Sequence, residues 1–103
     1  MRPAKLDEGE VEYALASLKG WTRAGAAITK TFAFATFLDG IAWVDRVALI
    51  AERLDHHPDL DIRYNKITAT LSTHSAGGLT KLDFELARDM DAAVGTGAGA
   101  GTG

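Results

Sequence analysis

The chain has 103 residues, no cysteine and a formal net charge of −3 at pH 7. That length suits one domain with one modest core, and the slight acidity argues against a general affinity for nucleic acid or anionic lipid. Without thiols there is no disulfide framework and no thiolate chemistry. No apolar run approaches a membrane span, and Met1-Arg2-Pro3-Ala4-Lys5 lacks the apolar stretch of a secretory signal, so the expected compartment is the cytoplasm.

Asp7 and Glu10 make a D-x-x-E capping pattern. Val11, Ala14, Leu15 and Leu18 then recur at helical spacing and Gly20 supplies a stop, which predicts a helix over residues 8–19. Residues 21–24 and 27–35, rich in Thr, Ile and Phe, read as a hairpin turned at Gly25. Lys30 shares parity with Ile28 and Phe32, which puts that position of the face near an edge. Thr36 and Asp39 form a second cap, T-x-x-D, ahead of a helical stripe of Phe37, Ile41, Val44, Val47, Ala48, Ala51 and Leu54. Trp43, Leu49 and Ile50 fall outside the centre of that stripe. The helix is thus apolar over more than one face; a sheet covers only one stripe, and the excess points to a subunit contact.

Pro58 ends this region. Residues 60–63 and 66–73 read as a second hairpin around Tyr64-Asn65. A two-residue loop would set Ile62 opposite Ile67 and Leu60 opposite Ala69, although Tyr is a poor first turn residue. Ile67, Ala69 and Leu71 then face one way, and Thr68, Thr70, Ser72 and His74 the other. Thr80 and Asp83 repeat the T-x-x-D cap, with Leu79 and Phe84 at the positions of a hydrophobic staple, and the last helix runs to about residue 94. The order αββαββα predicts an α+β fold, a four-stranded antiparallel sheet with helices packed on one face. Residues 1–94 are expected to form a single domain. Residues 95–103 are Gly/Ala/Thr low complexity, with too little apolar area to offset their ordering entropy, and are expected to be a flexible tail.

The three histidines fall in two short clusters, Asp55-His56-His57-Pro58 and Ser72-Thr73-His74. Imidazole is the side chain that ordinarily titrates near neutrality, so these clusters suit proton transfer to and from a small molecule. Taken singly, each His has a plain reading. His56 or His57 could favour a helix C-terminus, and His74 could be an ordinary surface residue. A metal site is poorly supported: neighbours on a helix diverge by about 100°, and neither H-E-x-x-H nor an i,i+4 His pair is present. A Ser–His–Asp hydrolase is weaker still. Ser72, Thr73 and Ser75 adjoin His74, but no nucleophile elbow is present.

Taken together, the clusters are specific. Glu52, Asp55-His56-His57-Pro58, Tyr64-Asn65-Lys66, Leu71-Ser72-Thr73-His74, Gly78-Leu79-Thr80 and residues 83–87, with Gly20-Trp21 and the Phe32-x-Phe34-x-x-Phe37 run upstream, form one spaced pattern over about residues 8–94. In this combination the chain resembles the pterin-4a-carbinolamine dehydratase family, whose mammalian member is also a dimerisation cofactor of a homeodomain transcription factor. The resemblance implies that His56 and His74 are the acid–base histidines and that His57 is a third active-site histidine helping to hold the pterin. It implies that Asp55 and Ser72, Thr73, His74 and Ser75 contact substrate. Asp83 matches an aspartate near the site and is equally readable as the N3 residue of a capping box.

The implied reaction is loss of water from a 4a-hydroxytetrahydropterin to give a quinonoid dihydropterin, in recycling of a tetrahydrobiopterin-type cofactor. The resemblance implies no metal and no further cofactor, a small-molecule pterin as partner, and no direct contact with nucleic acid or membrane. Two departures stand out: the family usually has an aromatic residue where this chain has Leu60, and often a basic one where it has Leu82. The alternative is a non-catalytic binding protein on the same scaffold, since dehydratase-like proteins include transcriptional coactivators and Rubisco-assembly factors of carboxysome-bearing bacteria. Under either reading a homodimer or homotetramer is expected, because open sheet edges and the helix excess need cover.

Overall fold

The computed structural model describes residues 3–94; the expected tail at 95–103 lies outside the described residues. The elements are α1 (Glu8–Ala16), β1 (Thr22–Ala24), β2 (Ala27–Ala33), α2 (Phe37–Leu54), β3 (Asp59–Arg63), β4 (Lys66–Leu71), a short 3-10 turn (His74–Ala76) and α3 (Lys81–Val94). The four strands form one antiparallel sheet in the order β1-β2-β4-β3. This is the expected α+β fold.

The caps written in the sequence are made. Asp7 accepts from the Glu10 N–H and Glu10 reaches back to the Asp7 N–H, a complete capping box. Thr36 Oγ1 accepts from the Asp39 N–H at 3.0 Å and starts α2. Leu79 and Phe84 are both buried, as a staple requires. The first helix is shorter than expected. It ends at Ala16, where the Leu18 N–H turns back to Leu15 in a tighter turn, ahead of Gly20 at φ 85°. Arg23 clasps Glu8 through two bonds of 2.7 and 3.0 Å, tying α1 to β1. That guanidinium holds the Glu8 carboxyl below the usual carboxylate range. The clasp therefore adds stability above that range and loses it as the pH falls through it.

Pairing in the sheet follows the parity of the residues. Ile28, Phe32, Ile67, Ala69 and Leu71 face the helices and are buried. Thr29, Thr31, Thr68 and Thr70 lie on the open face, where Thr31 and Thr68 share a 2.8 Å hydrogen bond across strands. The second hairpin has the two-residue loop, with Ile62 opposite Ile67 and Leu60 opposite Ala69. Tyr64 takes the unfavourable first position at φ 53°. Asn65 compensates, because its side-chain amide donates to Phe34 O at 2.7 Å and its carbonyl accepts from the Phe34 N–H at 2.9 Å. Lys30 does lie beside a free edge: β1 pairs with β2 only as far as Thr29. Its chain runs over Phe32 and its ammonium reaches Asp91 at 2.8 Å and Lys19 O at 3.0 Å.

The apolar stripe of α2 is rotated from its expected position. Gly40, Trp43, Val47 and Ala51 face the core, whereas Phe37 is 44 % exposed. The indole decides this, because burying the largest side chain removes the most apolar area from water. Trp43 is fully buried, packs on Phe32 and Phe34 at centroid distances of 4.4 and 5.3 Å, and donates from Nε1 to Met90 O at 3.0 Å. Gly40 permits the approach of α2 to the sheet, since a Cβ there would stand 3.2 Å from Ile67 and 3.3 Å from Phe34. Trp43→Ala is expected to cost about 3–5 kcal/mol. Urea unfolding followed by circular dichroism measures it, and a loss below about 1 kcal/mol would deny the indole this central place.

Candidate functional site

Two chain segments far apart in sequence meet at one end of the sheet. The first follows α2. Asp55 adopts the left-handed region at φ 52°, ψ 44°, the His56 N–H returns to Ala51 O at 3.0 Å, and the Asp55 N–H returns to Glu52 O at 3.2 Å. These two bonds are those of a Schellman closure, with aspartate in the place glycine usually takes. The helix thus stops at Leu54, four residues ahead of Pro58. The reversal turns His56 inward and leaves Asp55 and His57 exposed.

The second segment follows β4. Its strand ends at Leu71; Thr73 bridges to Gly78 and is buried, and His74 opens the short 3-10 turn rather than continuing the strand. Parity counted along an unbroken strand therefore misplaces His74, which is exposed for a different reason.

Between these segments lies an open cleft of about 350 Å³ lined by Asp55, His56, His57, Ser72, Thr73, His74 and Ser75. That volume is at the small end of small-molecule sites. All three histidines line it. Asp83 does not; it is fully buried behind His56. Leu60 also lies outside the cleft. With Val44, Val47, Ala48, Ala51, Glu52, His57 and Pro58 it lines an adjacent apolar groove of about 200 Å³ that shares His57 with the cleft. Leu82 lines neither. Among the described residues no cluster of His, Cys, Asp or Glu has the arrangement of a metal site.

Asp83 organises the inner wall. Its Oδ1 lies 2.6 Å from His56 Nε2, and its Oδ2 accepts from Thr73 Oγ1 at 2.8 Å and from the Thr80 N–H at 2.9 Å. It is thus both the cap of α3 and the partner of a cleft histidine. The two readings of this residue are not exclusive, because a carboxylate has two oxygens. Thr80 Oγ1 lies 2.9 Å from Thr73 Oγ1 and accepts from the Leu82 N–H at 3.2 Å.

The proton order follows from counting hydrogens. Thr73 gives its hydroxyl hydrogen to Asp83, so Thr80 must donate to Thr73. A carboxylate only accepts, so His56 carries its hydrogen on Nε2. Among the described residues His56 Nδ1 has no hydrogen-bond partner, yet none of their polar side-chain atoms in non-exposed residues is both buried and unpartnered. Nδ1 therefore reaches solvent, and the cleft is the solvent that His56 faces. His57 is similarly held through Nε2, by Glu52 Oε2 at 2.6 Å, but both groups are exposed and the tie is weak. The His74 carbonyl accepts from the Gly77 N–H at 3.1 Å, and its imidazole makes no hydrogen bond to a described residue.

Two supporting residues escaped the sequence reading. Thr80 was legible only as a helix cap, and its link to Thr73 needed the fold. Glu52 was part of the spaced pattern without a role, and its partnership with His57 depends on the left-handed turn at Asp55.

Comparison with known proteins accords with this geometry. The family model for pterin 4 alpha carbinolamine dehydratase matches residues 4–93. A relative from Roseiflexus castenholzii, provisionally named pterin-4-alpha-carbinolamine dehydratase, is 52 % identical over 88 residues, covering 85 % of this chain and 95 % of the relative. One of the same provisional name from Mycolicibacterium vanbaalenii is 49 % identical over 92 residues, covering 89 % and 99 %. The crystal structure of a transcriptional coactivator/pterin dehydratase from Brucella melitensis superposes with a TM-score of 0.86 at 42 % identity, over 88 % of this chain and 99 % of that one. A pterin dehydratase-like Rubisco assembly factor of the alpha-carboxysome shares the fold alone, at TM-score 0.63 and 22 % identity over 76 % of this chain and 93 % of that one. With its whole folded span matched and its histidines gathered in one cleft, the chain belongs to the pterin-4a-carbinolamine dehydratase family.

Proposed function

We propose that the protein is a 4a-hydroxytetrahydropterin dehydratase acting in the cytoplasm, in recycling of a tetrahydrobiopterin-type cofactor, and that it works as a homodimer or homotetramer. The observation that carries the reading is the cleft in which three imidazoles from two separate segments meet, one of them with a nitrogen locked on a buried carboxylate and the other nitrogen open.

Dehydration breaks the C4a–O bond and forms C4a=N5. Hydroxide leaves poorly, so an acid must deliver a proton to the departing oxygen while a base removes the N5 proton; the electron pair of N5–H becomes the new π bond. One proton is taken and one is given, and the products are water and the quinonoid dihydropterin. Two imidazoles in opposite protonation states do both. His56 and His74 serve in these roles, His56 through Nδ1, while His57 with Asp55, Ser72, Thr73 and Ser75 holds the ring system. Asp83 acts through His56. It fixes the tautomer and ring orientation, as a buried carboxylate does behind other catalytic histidines.

His56→Ala and His74→Ala are each expected to lower turnover by about 10²–10⁴-fold without unfolding the chain, measured by stopped flow on synthetic carbinolamine. Wild-type rates in both would reject the acid–base roles, and no turnover by the wild type itself would favour the binding-protein alternative. Turnover should also decline on the acid side of neutrality, as the imidazole that takes the N5 proton becomes protonated beforehand. A flat rate profile from mildly acid to mildly alkaline pH would speak against histidine catalysis. Asp83→Asn, which removes the negative charge facing His56 Nε2–H and leaves one acceptor oxygen for three donors, is expected to cost on the order of 10²-fold in turnover and to displace that acid limb. A loss of turnover with an unmoved limb would reduce Asp83 to a structural cap.

A further inference from the structure

Thr80 stands just ahead of α3, fully buried, and does not line the histidine cleft. Its hydroxyl is nevertheless tied to that cleft by bonds that run in one direction only. The Leu82 N–H donates to Thr80 Oγ1 at 3.2 Å, so the hydroxyl hydrogen must point elsewhere. The other side-chain partner it has among the described residues is Thr73 Oγ1, at 2.9 Å. Thr73 spends its own hydrogen on Asp83 Oδ2 at 2.8 Å, so it receives from Thr80 and cannot give back. Asp83 Oδ1 in turn takes the Nε2–H of His56. Order passes from the Leu82 N–H through Thr80, Thr73 and Asp83 to the imidazole.

Thr73 does line the cleft, yet it has no hydrogen left to give a ligand. Its N–H donates to Gly78 O at 2.9 Å, and its carbonyl accepts from the N–H groups of Ala76 at 3.0 Å and Gly78 at 3.3 Å. Its hydroxyl accepts from Thr80, donates to Asp83 and stands 3.5 Å from His56 Nε2. Thr73 therefore meets a ring in the cleft with its surface and directs its polar groups inward. A hydroxyl rotates freely unless its neighbours fix it. Without the bond from Thr80, the Thr73 hydroxyl could turn from Asp83 toward water in the cleft, and Oδ2 would keep only the Thr80 N–H. We propose that Thr80 is a positioning residue for His56. Its hydroxyl locks the Thr73 hydroxyl onto Asp83, and Asp83 so locked holds the ring with Nδ1 toward the cleft. The effect on turnover rests on the dehydratase reading; the effect on the hydrogen bonds does not.

Proton NMR of the free protein in water reads the chain of bonds directly. The Thr73 hydroxyl and the His56 Nε2–H should give separate, slowly exchanging signals. Thr80→Val, which puts a methyl in place of the hydroxyl, should speed the exchange of both by about tenfold or more, and Thr80→Ser should restore it. Stopped flow on synthetic carbinolamine gives the second reading. Thr80→Val should lower kcat by about tenfold and leave KM within about twofold, with Thr80→Ser close to wild type. Thr73→Val should cost more than Thr80→Val, and joining the two should add nothing to it, because residues acting in series do not contribute independently. Circular dichroism checks that each variant is folded, and Thr80→Ala replaces the valine variant if that one is not. Unchanged exchange in Thr80→Val, a serine variant no better than valine, or losses that multiply in the double variant would each overturn the proposal. A wild type without turnover would reject the dehydratase reading, and the exchange rates would then decide this one alone.

Discussion

One carboxylate holds the working end of this protein together. Asp83 is fully buried and bonded to His56 from the loop after α2, to Thr73 from the end of β4, and to the N–H of Thr80 at the start of α3. Three segments that share no local sequence thus converge on two oxygens. A carboxyl group this deep is costly unless it is hydrogen-bonded, and both oxygens of Asp83 are, through three bonds. The N-terminus of α3 adds a favourable field at the same point. Losing any one partner would strand a buried polar group, at a cost of about 1–3 kcal/mol.

The rest of the architecture brings those segments within reach. Parity along β2 and β4 buries one face under the helices and leaves a ladder of threonines on the other. Trp43 sets the rotation of α2, and that rotation aims the helix end. The left-handed Asp55 then reverses the chain, so that consecutive residues face opposite ways: His56 toward Asp83, His57 toward Glu52 and solvent. The backbone strain of a non-glycine residue in that region is about 1–2 kcal/mol. A glycine would relieve it but would remove the carboxylate that lines the cleft.

Much of the fold was legible in the chain itself. The three caps, the strand parity, the register of the second hairpin and the span of α2 each follow from residues within a few positions of one another, which is why local pattern sufficed. The same holds for the resemblance to a family, since D-H-H-P, Y-N and T-H at fixed separations are properties of the string. The α2 stripe is misplaced because a distant contact overrules local pattern: Trp43 turned inward to pack on Phe32 and Phe34. The ends of α1 and β4 moved by a few residues through local bonds, Leu18 to Leu15 and Thr73 to Gly78.

The sequence by itself determined which chemistry the protein carries: imidazoles without thiols, on an α+β scaffold whose elements are punctuated by side-chain caps. Tertiary structure alone decided which nitrogen of His56 is available, that Asp83 stands behind that ring rather than in the cleft, and that Thr80 and Glu52 support the site. The reason is the range of the forces involved. Caps and turns are bonds between near neighbours, whereas a tautomer is set by whichever buried acceptor the folded chain brings to within 2.6 Å of the ring, here one 27 residues away.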